Sequence, residues 1–112
     1  MKLFSGLKKI REFERSQLPF LKSVIDFDIL VEIGYADEQR QPLTLKQLFL
    51  LNLSSRTTVR RKLNKLIEQG IVTRRRHAKD RRANLLFISP STVKLLAKYV
   101  SALTTISALH FK

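Results

Sequence analysis

The stretch Thr44-Leu45-Lys46-Gln47-Leu48-Phe49-Leu50-Leu51-Asn52-Leu53-Ser54-Ser55-Arg56-Thr57-Thr58-Val59-Arg60-Arg61-Lys62-Leu63-Asn64-Lys65-Leu66-Ile67-Glu68-Gln69-Gly70 decides the fold. Thr44 can cap a short helix through Leu51, with Leu45, Leu48, Phe49 and Leu51 on its buried face. Residues 52–55 then make a brief turn. From Ser55 or Arg56 to Gln69 the pattern is helical again, because Val59, Leu63, Leu66 and Ile67 recur at i, i+4, i+7 and i+8 and Gly70 can close the end. A short helix, a tight turn and an amphipathic helix predict a helix-turn-helix.

Downstream, Ile71-Val72-Thr73 is β-branched and leads into Arg74-Arg75-Arg76, while Ala83 to Ile88 offers a second strand after the polar tip His77-Ala78-Lys79-Asp80-Arg81. A basic hairpin directly behind a helix-turn-helix predicts a winged helix. Ser89 as cap and Pro90 at the first position open a last helix, whose stripe runs Leu96, Tyr99, Leu103, Ile106, widened by Val93 and Val100. Upstream, residues 2–16 form an amphipathic helix on Leu3, Phe4, Leu7 and Ile10, which Leu18-Pro19 interrupts. A second helix from Phe20 to Ile33 carries Leu21, Val24, Ile25, Ile29, Leu30 and Ile33, with Gly34 to end it and a polar loop from Tyr35 to Pro42. The expected class is mainly α with a small β-hairpin (α+β). It is one winged-helix domain over 1–112, made of an N-terminal helix (1–18), a winged core (20–88) and a C-terminal helix (89–112).

The 112 residues carry 22 Lys and Arg against 9 Asp and Glu, a net charge of +13. Residues 54–82 hold 11 basic and 2 acidic side chains, a net of +9 in one quarter of the chain. Such a concentration on a small domain favours nucleic acid over a purely solvated face. With no cysteine and only His77 and His110 as imidazoles, the chain offers no disulfide, thiolate zinc site or redox switch. Asp26 and Asp28 diverge by about 200° on a helix, so they form no acid/base pair. Gly6, Gly34 and Gly70 are too scattered to cradle a phosphate. Neither an enzyme nor a cofactor is indicated. No apolar run approaches the roughly 18 residues of a membrane span, and Glu12 and Glu14 oppose lipid binding through Lys2, Lys8, Lys9 and Arg11. A cytoplasmic, nucleoid-associated protein of bacterial, archaeal, phage or plasmid origin is expected.

Helix phase sorts the second helix of the motif, 55–69. Its apolar side leaves Thr57, Arg61, Asn64, Lys65 and Glu68 opposite, with Thr58 and Arg60 on the flanks. That face fits the major groove of double-stranded DNA. Arg61 can fork onto a guanine edge and Asn64 onto an adenine. Thr57 and Thr58 suit a phosphate or a thymine methyl. Ser54, Ser55 and Arg56 lie at the helix start, where hydroxyls and N–H groups meet phosphate. In the wing, residues 74–82, the basic side chains Arg74, Arg75, Arg76, Lys79, Arg81 and Arg82 suit the minor groove, with His77 a phosphate contact or bystander. Asp80 is expected to brace a wing arginine.

From about Leu43 to Pro90 the chain resembles the MarR family of winged-helix transcriptional regulators. The resemblance rests on Leu53-Ser54-Ser55-Arg56-Thr57-Thr58-Val59, on Glu68-Gln69-Gly70-Ile71-Val72, and above all on Asp80-Arg81-Arg82-Ala83 followed by Leu85 to Ser89. It implies DNA binding as a two-fold dimer, recognition helices in successive major grooves and a wing arginine in the minor groove. It also implies that the terminal helices form the interface, on Leu3, Phe4, Leu7, Ile10, Leu96, Tyr99, Leu103 and Ile106. The C-terminal stripe alone fits either packing within one chain or a seam between two. The absence of cysteine excludes the peroxide-sensing branch of the family, and the sequence names no small-molecule effector. Two other readings stay open: a winged-helix module of a plasmid or phage replication or partition complex, and a binder of structured RNA or an acidic protein.

Overall fold

The computed structural model describes residues 1–76, 79 and 84–112. In chain order it contains α1 (Leu3–Gln17), α2 (Val24–Glu38), α3 (Leu45–Leu50), α4 (Arg56–Glu68), β1 (Val72–Arg76), β2 (Asn84–Ile88) and α5 (Pro90–His110). Contacts divide the chain into two compact units, residues 22–89 and residues 1–21 with 90–112.

The 22–89 unit is built on α2. Its buried face, Ile29, Leu30, Ile33 and Ala36, joins Leu48 of α3, Val59, Leu63 and Leu66 of α4, Val72 of β1 and Leu86 of β2 in the core. The hairpin is antiparallel, Val72 facing Ile88 and Arg76 facing Asn84. Residues 43 and 44 extend it on the β2 side through the Leu86 N–H to Leu43 carbonyl bond of 2.9 Å and a bridge between Thr44 and Leu85. Thr44 caps α3 as expected, in a reciprocal capping box with Gln47. Gly70, at φ +72°, closes α4 with N–H bonds from Gly70 to Ile67 and from Ile71 to Leu66.

Helix α2 departs from expectation at both ends. It starts at Val24, because the Ser23 hydroxyl takes the cap, and Val24 is 76% exposed. It runs through Gly34 to Glu38, so part of the expected Tyr35–Pro42 loop is helical. The same double hydrogen bond that ends α4 ends α2, from Arg40 to Asp37 and from Gln41 to Ala36, with Arg40 at φ 60°. The glycine therefore lies inside the helix and an arginine occupies the left-handed position. A Cβ on Gly34 would rest 3.7 Å from Ile88 Cγ1, an ordinary contact. Gly34→Ala and Arg40→Gly are each expected to stabilise the fold by about 0.5–1 kcal/mol, measured by urea unfolding. A loss of stability in either variant would refute this account of the helix end.

Leu51, expected to end α3 on its buried face, lies just past the helix and is 42% exposed; with Phe49 half-buried, only Leu48 is fully enclosed. The helix is too short to bury a broad stripe.

In the other unit, α1 and α5 pack antiparallel. The Lys2 N–H donates to the His110 carbonyl at one end (2.7 Å), and Gly6 lies against Phe111 and His110. Farther along, Phe13 stacks on Tyr99 and the Tyr99 hydroxyl donates to Glu14 Oε2 at 2.6 Å. Burial pushes the Tyr99 phenol up to about 12 from the usual 10.0, aided by the bond to Glu14 and by that carboxylate's charge, with Arg11 opposing. The raised value means the fold favours the neutral phenol. Its contribution is full below pH 10 and is lost as pH rises toward 12. In a Tyr35→Phe background, the remaining phenolate absorbance is expected to rise with a midpoint near 12. An ordinary midpoint would show that Tyr99 is neither buried nor bonded to Glu14 as described.

Among the described residues, no helix is long and apolar enough to cross a membrane.

Candidate nucleic-acid interface

Helix α4 is anchored before it is displayed. At its start the Ser55 hydroxyl accepts the Thr58 N–H (3.2 Å) and donates to Thr58 Oγ1 (2.9 Å). These two hydroxyls, both candidate phosphate ligands, are thus bonded to each other. Val59, Leu63 and Leu66 are buried and Ile67 is half-buried, which fixes the roll of the helix.

With the roll set, the basic residues of α4 separate into three directions. Lys62 turns inward, where its Nζ lies 3.4 Å from Asp26 Oδ2 and only 16% of its side chain is exposed. Arg56 and Arg60 lean toward α3, their guanidinium carbons 5.1 and 5.3 Å from the centre of the Phe49 ring. Arg61 and Lys65 point outward with Thr57, Asn64 and Glu68. All five are exposed, and with Arg60 they line a shallow open hollow. The outward set is the one that helix phase predicts. Ser54 is half-buried.

Asp26, which had no part in the sequence-based site, holds this arrangement from behind. Its carboxylate accepts the Lys22 N–H (3.1 Å) and the Ser23 hydroxyl (3.0 Å) and faces Lys62. The spacing of Ser23 and Asp26 is a helix-start signature that could have revealed it.

Along β1, alternation separates three neighbouring arginines. Arg74 and Arg76 share a face with buried Val72, whereas Arg75 lies on the other face with Thr73. There the Arg75 guanidinium sits over the Phe87 ring, 4.5 Å from its centre. All three are exposed, as is Lys79. His77, Asp80, Arg81 and Arg82, expected at the wing tip, lie outside the described residues. So does the expected bracing by Asp80. Phe49 and Phe87 are the aromatic partners that sequence reading missed; an aromatic beside a basic helix or strand was the available signal.

Of the candidate interface residues on α1 and α5, Leu3, Phe4 and Leu7 are exposed. Ile10, Leu96, Tyr99, Leu103 and Ile106 are half-buried. Among the described residues no group of three or more His, Asp or Glu is placed to hold a metal ion.

The sequence model of the MarR family matches residues 22–83, more than half of the chain. The chain belongs to the MarR family. Solved structures of similar shape agree. A transcriptional regulator of Thermotoga maritima, Tm0710, superposes with a TM-score of 0.66 at 23% identity, covering 88% of this chain and 67% of that one. S. aureus MepR in a DNA complex gives 0.70 at 17% identity, covering 96% and 86%. A mutant MarR from E. coli, complexed with operator DNA, gives 0.60 at 19% identity, covering 86% and 66%. At these identities the likeness establishes a shared fold, the winged helix of MarR-family transcriptional regulators. No curated protein matches the chain by sequence. The match to the MarR family encloses the whole of α4 and β1 together with the Asp26 anchor.

Proposed function

We propose that the protein is a sequence-specific transcriptional regulator that binds double-stranded DNA as a homodimer, with α4 in the major groove and the tip of the hairpin in the minor groove. The observation that carries this reading is the sorting of α4. A helix whose apolar side is buried presents Thr57, Arg61, Asn64 and Lys65 together on its exposed side, the donor and acceptor types that read base edges and phosphates. Membership of the MarR family supports it, as do MepR and MarR structures solved with DNA. The apolar side chains Leu3, Phe4, Leu7, Val93, Val100 and Leu109, left 42–79% exposed on α1 and α5, support a second copy as their cover.

The test is selection of duplex fragments from a random pool by the purified protein, with oligomeric state measured in parallel by light scattering. Recovery of a pseudo-palindromic site bound by a dimer is the expected outcome. Failure to retain duplex DNA at low salt, with retention of structured RNA or an acidic protein, would replace this reading. On the selected site Arg61→Ala is expected to cost about 1–3 kcal/mol and to relax the choice at one base pair. An equal loss on random DNA would remove Arg61 from base reading.

A further inference from the structure

Phe49 has the periodicity of a core residue, yet the α3 helix leaves it half-buried. Its uncovered surface faces cations. Arg56, the first residue of α4, and Arg60, one turn later, both hold their guanidinium groups about 5 Å from the centre of its ring. Among the described residues neither arginine forms an ion pair with a carboxylate. Two like charges are thus gathered at one aromatic ring with no acid between them.

Two independent long side chains would sample many rotamers, and their mutual repulsion would drive them apart. The electron-rich face of the ring offsets both tendencies. It attracts each cation and restricts where each can go. A guanidinium engaged through its face keeps its in-plane N–H donors available at the rim, the geometry suited to a phosphate oxygen. Both arginines lie on the α3 side of α4 and Arg61 on the outward side, so the ring-held pair flanks the base-reading face.

We propose that Phe49 is a positioning residue that holds Arg56 and Arg60 as joint donors to the phosphates of one DNA strand, along the edge of the groove that α4 occupies. This rests on the DNA-binding reading above. Phe49 itself touches no nucleotide in this arrangement; it lowers the cost of ordering the two side chains that do.

The test compares Phe49→Leu, Phe49→Tyr and the Arg56→Ala/Arg60→Ala variant, with and without Phe49→Leu, on the selected duplex and on random-sequence duplex. Leucine keeps the apolar face of α3 and removes the π-face. Phe49→Leu is expected to weaken binding by about 5- to 30-fold, the scale of two cation–π contacts, and by the same factor on both duplexes. Phe49→Tyr should restore affinity to within about twofold, since its ring carries the same face. In the double-alanine background Phe49→Leu should add nothing, because its effect passes through the arginines.

Unchanged affinity in Phe49→Leu, no rescue by tyrosine, or an equal loss in the double-alanine background would each overturn the proposal. Should Phe49→Leu fail to fold, Arg56→Lys/Arg60→Lys replaces it. That variant keeps both charges and gives up the planar forks, so wild-type affinity in it would be equally fatal. A wild-type protein that binds no duplex overturns the DNA-binding reading itself. One that binds duplex and ignores the ring overturns this inference alone.

Discussion

Raising the salt from 50 to 200 mM is expected to weaken duplex binding by about 10³- to 10⁵-fold, the consequence of neutralising about 6 to 10 phosphates per proposed dimer. The structure gives a reason for that range. Each protomer presents Arg56, Arg60, Arg61, Lys65, Arg74, Arg75, Arg76 and Lys79 at the surface, and the division of β1 into two faces keeps them from reaching one backbone together. About half of them then meet phosphate. The check is a fluorescence-anisotropy titration at several salt concentrations. A log–log slope shallower than about −2 would mean that these cations do not release counterions on binding, and the interface would have to lie elsewhere. Lys62→Met supplies the internal control. It removes a positive charge from α4, but that charge is spent on Asp26, so the slope should not change.

Replacing Asp26 by alanine is expected to destabilise the fold by about 3 kcal/mol, at the low end for breaking a buried ion pair. Two losses combine. The Lys62 ammonium keeps its burial and loses its counter-charge, and the start of α2 loses the acceptor of the Lys22 N–H and the Ser23 hydroxyl. Lys62 can recover part of the cost by extending its tip toward water. The reverse change is gentler. Lys62→Met leaves the Asp26 carboxylate with both of those donors and fills the same space with apolar atoms, so about 1–2 kcal/mol is expected. Urea unfolding of the two variants reads the asymmetry directly. Equal and small effects would show that the pair contributes little to joining α2 and α4.

The elements that sequence made legible are those with a strong period. In α4, four apolar residues at helical spacing and a glycine just beyond determine its extent, its cap and the side it exposes. The hairpin follows from the β-branched run Ile71-Val72-Thr73 on one side of a polar tip and the apolar run Leu85 to Ile88 on the other. The end of α2 departs from the sequence pattern because glycine usually marks the left-handed position that closes a helix, and here Arg40 adopts it while Gly34 lies within the helix. Nothing local distinguishes such an arginine from its polar neighbours. Phe49 has the period of a core residue and departs from it for a related reason. Periodicity shows which residues share a face, but not that two arginines from the next helix would take the place of apolar neighbours. Asp26 enters the sequence reading only as half of a rejected acid pair. Its role depends on Lys62, thirty-six residues later, and no short pattern encodes that distance.

The three consecutive arginines of β1 make the ribbon tolerant of sequence drift. In a strand, losing or gaining one residue moves every later side chain to the opposite face, which normally replaces what a surface offers with what it had hidden. Here the neighbours are the same, so after such a slip Arg75 would take the side that Arg74 and Arg76 leave, and both sides would still carry a cation. A one-residue insertion or deletion ahead of Arg74 would therefore leave a cation on each side of this strand. The ribbon can then change in length before it changes in kind.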